Sequence, residues 1–181
     1  TWVGGDRDGN PFVTATVTKK AMAIASEHVL MGLGNTCSRI ARNMTLDAQH
    51  TPPSPALTAL WHTLASANED GAPGAALRAP GEPHKQVMTL IAARIAATQA
   101  RNADLAYSGP EELVADLQVV QDSLVGAGAV RQAYGGLQTL LWQVQTFGFH
   151  LAELEVRQHS AVHAKALREL EGGGEISEQT Q

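Results

Sequence analysis

The chain is short of sulfur, aromatic rings and charge. Its single cysteine, Cys37, among 181 residues excludes an internal disulfide and fits a reducing, cytoplasmic setting. Aromatic residues make up 4% and charged residues 17%, while hydrophobic residues reach 44%, a balance that suits a folded chain rather than a disordered one. The net charge of −5 supplies no overall basic field to attract nucleic acid or anionic lipid. No unbroken apolar run approaches the ~20 residues of a bilayer span, and the first residues lack the regions of a signal peptide. The seven histidines show no metal spacing. His159 and His163 stand four apart at a helix start without a third ligand nearby, which reads as a solvated or partly packed pair.

What is present is mostly helical periodicity. Residues 14–50 read as helix with Thr14 as N-cap, Val17, Ala21, Ile24, His28 and Met31 on one face, and a kink or close packing at Gly32 and Gly34. Residues 51–83 read as a Pro-led helix with Leu57, Leu60, Trp61 and Leu64 inward, followed by a long Gly/Ala/Pro loop from Asn68 to Pro83. Helices fill 84–147. The first carries Val87, Leu90, Ile91 and Ile95; the second starts at Pro110 and carries Leu113, Leu117, Val120 and Leu124. The third carries Tyr134, Leu137, Leu141 and Val144 and ends near Gly148. One strand is expected over 149–158, then a helix over 160–171 with Val162, Ala166, Leu167 and Leu170, and a flexible end over 172–181. A lone strand cannot satisfy its own ladder, and Thr1-Trp2-Val3 adds at most the end of a second. The expected fold is therefore mostly α: a helical internal segment of a longer polypeptide, with one or two short strands belonging to a larger sheet.

Two stretches carry chemistry. In Gly4-Gly5-Asp6-Arg7-Asp8-Gly9-Asn10-Pro11 the acids alternate as in a calcium loop, but Pro11 and Val17 stand where such a loop needs glycine and glutamate. The spaced glycines and lysine of a phosphate cradle are missing too. Read on residue types alone, the stretch is a tight turn in which Asp6 and Asp8 pair with Arg7 or cap amides. The second stretch runs from Phe147 to Gln158. Strand alternation puts Glu153, Glu155 and Arg157 on one face and Ala152, Leu154 and Val156 on the other. A charged strand face covered by helices fits a barrel mouth, where a terminal arginine can hold phosphate bidentately. An ion pair on a water-facing sheet edge fits the same spacing. Cys37 lies in a helix without an adjacent base and reads as a small buried side chain rather than a nucleophile.

Together and in this order, the two stretches resemble the phosphoenolpyruvate carboxylase family. The family motif W-[MI]-G-G-D-R-D-G-N-P-x-V-T is met by Trp2 to Thr14. The motif F-G-x-x-L-x-x-L-D-x-R-Q is met by Phe147, Gly148, Leu151, Leu154, Glu155, Arg157 and Gln158. Gly81-Glu82-Pro83 and the Asp116-Leu117 helix resemble the family as well. The departures are Val3 for a bulkier apolar residue, Glu155-Val156 for Asp-Ile, and His84 for the usual Tyr.

The resemblance implies a parent β/α-barrel enzyme of the cytoplasm, commonly a homotetramer. That enzyme carboxylates phosphoenolpyruvate with bicarbonate to oxaloacetate and phosphate, using Mg²⁺ or Mn²⁺. It implies further that bicarbonate attacks the phosphoryl group to give carboxyphosphate and an enolate, which then captures CO₂. On the matching positions, Arg157 would bind the phosphoryl group and Trp2 would wall the CO₂ pocket. Gly4, Gly5, Asp6, Arg7, Asp8, Asn10, Glu155 and Gln158 would support them. The family's V-L-T-A-H-P-T stretch, its F-H-G-R-G-G loop and its acidic metal ligands do not occur in this sequence. The segment alone is thus expected to hold no metal site and to be inactive. The competing reading is a helical protein-interaction module whose loops are only turns.

Overall fold

The computed structural model describes residues 3–6, 10–155 and 159–171. Its elements are α1 (Ala15–Asn43), α2 (Pro55–Ala67), α3 (Ala72–Arg78), α4 (Pro83–Gln99), α5 (Pro110–Gly126), α6 (Val130–Gln132), a π-turn over Ala133–Leu137, α7 (Gln138–Phe147) and α8 (Ser160–Glu171). The chain divides into two units, His28–Phe149, and Thr1–Glu27 with His150–Gln181.

The His28–Phe149 unit is a helical bundle around one apolar core. The Ser54 hydroxyl caps α2 by accepting the Leu57 N–H at 3.1 Å, and Pro55 sits where an amide would have had no partner. The expected apolar faces of α2, α4 and α5 meet inside: Leu57, Val87, Ile91, Ile95, Leu113, Leu117, Val120 and Leu124 are fully buried. Leu30, Leu33, Cys37 and Ala41 bring the second half of α1 into the same core at helical spacing, and Met44, just past its end, joins them. A Cβ on Gly34 would sit 3.5 Å from Ile95, an ordinary contact, so α1 packs against α4 here and the helix runs on through Gly34. The Cys37 thiol donates weakly to the Met88 carbonyl, and burial pushes its pKa up to about 12.

Several local expectations are corrected. The Asn68–Pro83 stretch is not one long loop: α3 forms within it, with Ala72 and Ala75 buried, because Pro73 fixes a helical φ near its start. Tyr134 is exposed while Ala133 and Leu137 are buried, since the π-turn rotates the helical register, and Gly135 leaves helical geometry altogether (φ −91°, ψ −122°).

The other unit is built differently. The stripe expected to be inward at the start of α1 lies open, with Val17 and Ile24 exposed, and Leu167 and Leu170 of α8 are exposed too. Among its described residues only Gly4 and Gly5 are buried. The strand expected over 149–158 does not form in its described part, 149–155, which is turn, bend and irregular backbone; 156–158 lie outside the described residues. Leu151 at φ 68° breaks the extended conformation that a ladder requires. Among the described residues the only β pairing is a single bridge at Asp6.

Candidate functional site

The motif loop is shaped by its glycines. Gly4 takes φ 86°, a conformation open to glycine, and a Cβ there would lie 2.5 Å from Ala21 Cβ. Its carbonyl accepts from the Thr18 hydroxyl, which also reaches the Thr14 carbonyl, so the first turns of α1 hold the loop. Asn10 folds back on itself, its side-chain oxygen accepting the Phe12 N–H at 2.9 Å as an Asx turn. Thr14 Oγ1 accepts the Val17 N–H at 3.4 Å, the cap expected for α1.

Gly5 ties the two motifs together. A Cβ on it would sit 2.9 Å from the Glu155 carbonyl oxygen and 3.7 Å from Leu154 Cβ, so its bare backbone lies directly against the second motif. Asp6, half-buried, follows with its bridge, while Glu155 is exposed. The structure thus brings Gly5, between Gly4 and Asp6 in the chain, against Glu155, all within one unit. Trp2, Arg7, Asp8, Arg157 and Gln158 lie outside the described residues. Among the described residues no three metal-ligating side chains come together, and His159 and His163 are exposed.

Two polar networks of the His28–Phe149 unit were not anticipated. In the first, Arg94 bridges Glu112 and Asp116, donates its Nε–H to the Leu105 carbonyl at 3.2 Å, and lies 4.1 Å over the Tyr107 ring. Tyr107 donates its hydroxyl to Asp116 at 2.9 Å, and Glu112 accepts from the Ser108 amide and hydroxyl at 3.1 and 3.0 Å. Burial pushes the Asp116 carboxyl up more than Tyr107 and Arg94 pull it down. Burial also pushes Glu112 up, but its bonds from Ser108 and Arg94 outweigh that and leave it lowered. Burial, and then the charge of Asp116, raise the Tyr107 hydroxyl well above its ordinary range. With its guanidinium committed to two carboxylates, Arg94 clamps the 100–109 connection and is closed to outside anions. The readable signal is Glu112 four residues after Ser108, a spacing at which a carboxylate in a first helical turn can reach back to the preceding amide.

In the second network, His84 is fully buried, with Nε2 2.9 Å from the Ser123 hydroxyl, which accepts the Ser54 N–H at 2.9 Å. Its Nδ1 has no hydrogen-bond partner. Burial lowers its pKa to about 4, so the ring is neutral near pH 7.

Comparison with known proteins places this geometry. The family model described as phosphoenolpyruvate carboxylase matches residues 1–179. The chain is 37% identical over 172 residues to the phosphoenolpyruvate carboxylase of Xanthomonas campestris pv. campestris strain 8004, covering 95% of this chain and 19% of that protein. It is 38% identical over 179 residues to the Rhodopseudomonas palustris strain BisA53 protein of the same name (93% and 18% covered), and 33% identical over 180 to that of Mycobacterium leprae strain TN (93% and 18%). The chain therefore spans about a fifth of the length of these relatives. No helix among the described residues is long and apolar enough to cross a membrane. With both motifs in contact and a family match over nearly every residue, the chain belongs to the phosphoenolpyruvate carboxylase family.

Proposed function

We propose that this chain works as part of a phosphoenolpyruvate carboxylase, a carboxy-lyase that fixes bicarbonate onto phosphoenolpyruvate to give oxaloacetate and phosphate. The observation that carries the reading is the backbone contact of Gly5 with Glu155, two residues before Arg157, which joins the two motifs most specific to the family. In this reading the Arg157 guanidinium holds the phosphoryl group and neutralises the charge that develops as it moves to bicarbonate. Trp2 walls an apolar pocket that keeps water from the enolate until CO₂ is captured. Asp6, Arg7 and Asp8, with Asn10 turning the chain, form the rim, and Glu155 and Gln158 flank the arginine. The strand pairing of 156–158 and the enclosing β/α barrel would be completed by other parts of the parent polypeptide. A divalent cation bound to the parent would supply Lewis-acid assistance to phosphoryl transfer; the described residues bring together no ligand set for it. The cytoplasm and a homotetramer are the setting this reading assumes.

The test is Arg157→Ala in the full-length parent. A rise in the phosphoenolpyruvate KM with a fall of about 10³-fold in kcat/KM is expected. Unchanged turnover, with any loss confined to stability, would overturn the role. The 181-residue chain alone should form no oxaloacetate in a malate dehydrogenase-coupled assay with bicarbonate and Mg²⁺.

A further inference from the structure

A groove of about 310 Å³ runs between the last third of α1 and the π-turn, within the His28–Phe149 unit. Arg39 and Arg131 stand on its two walls, the amide side chains of Asn43 and Gln132 lie beside them, and Ile40 and Leu137 line its apolar part. Both arginines are exposed, and neither makes an ion pair among the described residues. The sequence explains why. Residues 28–46, which surround Arg39, contain no aspartate or glutamate, and neither do residues 123–152, which surround Arg131. A chain of net charge −5 thus keeps carboxylates out of the two segments that meet at this groove.

Arg94 provides the internal contrast. Where this bundle uses a guanidinium for structure, it surrounds it with Glu112, Asp116 and a carbonyl. Arg39 and Arg131 have no such partners, so their donors face the groove or solvent. The floor is held by an unusual backbone. The π-turn interrupts the helix at Gly135, and a Cβ on Gly136 would lie 3.4 Å from the Ile40 side chain, so the turn packs directly against α1. The groove is therefore a shallow apolar slot with two unneutralised planar cations and two amides on its rim.

From this arrangement we infer that the groove binds a small oxyanion carrying a compact apolar group, of the phosphate monoester class. The two guanidiniums grip the oxyanion, since their planar donor forks match tetrahedral oxyanions bidentately. Ile40 and Leu137 cover the ester group, and Asn43 and Gln132 bond the oxygens left over. Such a site uses none of the motif residues and does not depend on the carboxylase reading.

The test titrates phenyl phosphate and inorganic phosphate into the 181-residue chain by calorimetry at low ionic strength. Saturable 1:1 binding of phenyl phosphate is expected, with inorganic phosphate about tenfold weaker for want of the apolar contact. The double variant Arg39→Gln/Arg131→Gln should bind phenyl phosphate at least about tenfold more weakly while keeping its helical circular dichroism and melting temperature. Arg101→Gln, an exposed arginine outside the groove, should leave binding unchanged. No saturable binding, equal affinity for the two anions, or equal loss in Arg101→Gln would overturn the proposal.

Discussion

The two units divide the labour unevenly. The His28–Phe149 bundle owns the whole buried apolar core and both polar clamps, whereas the unit carrying the family motifs buries only Gly4 and Gly5 among its described residues. Helix α1 shows the contrast along its own length: its second half hides Leu30, Leu33 and Cys37, while Val17 and Ile24 of its first half stay exposed. Periodicity alone treats the two halves alike, because an apolar stripe records that a face suits burial and says nothing about which polypeptide covers it. The buried core and the Gly5–Glu155 contact thus lie in different parts of this chain.

The largest test of that contrast compares core truncations across the units. Leu117→Ala should lower the unfolding free energy by about 2–5 kcal/mol, as large-to-small core changes do, whereas Ile24→Ala should change it by less than about 0.5 kcal/mol in urea titrations. Comparable losses would show that the first half of α1 shares the core after all. Next comes the Arg94 clamp. Arg94→Ala leaves Asp116 buried without its cation and should cost about 2–4 kcal/mol. Arg131→Ala, removing a cation with no carboxylate partner, should cost almost nothing.

Acid gives a third, smaller effect. His84 titrates near 4 when folded and near 6.5 when unfolded, so between those values the unfolded chain binds the extra proton. Its contribution is complete above about pH 6.5 and is lost as pH falls towards 4. The His84→Gln variant should show a flatter stability profile between pH 6.5 and 5, and an unchanged slope would contradict the buried neutral ring. The smallest effect concerns Cys37: with its thiol raised to about 12, it should react with a thiol reagent only as fast as the bundle opens.

Much of the bundle was legible in the sequence. The inward faces of α2, α4 and α5 followed from spacing, because all are amphipathic helices that meet one another locally. In the other unit the Thr14 cap was readable too, because a threonine standing before a helical run can accept an orphan amide. The α3 helix was missed because Gly, Ala and Pro mark loops on average, and burial of Ala72 and Ala75 outweighs that tendency here. The strand was overcalled because alternation satisfies the faces of a strand but not its backbone bonds. As for the site, family motifs picked out Gly5 and Glu155, but their contact is long-range and no local pattern encodes it. The Arg94 clamp draws on residues from two helices and a connection, so it escaped a reading made segment by segment.

The meeting of Gly5 with Glu155 has a topological corollary. Because the two conspicuous ends of this segment touch each other directly, everything between them is an excursion that leaves and returns to one place. The seam therefore depends on the intervening helices through where they return the chain.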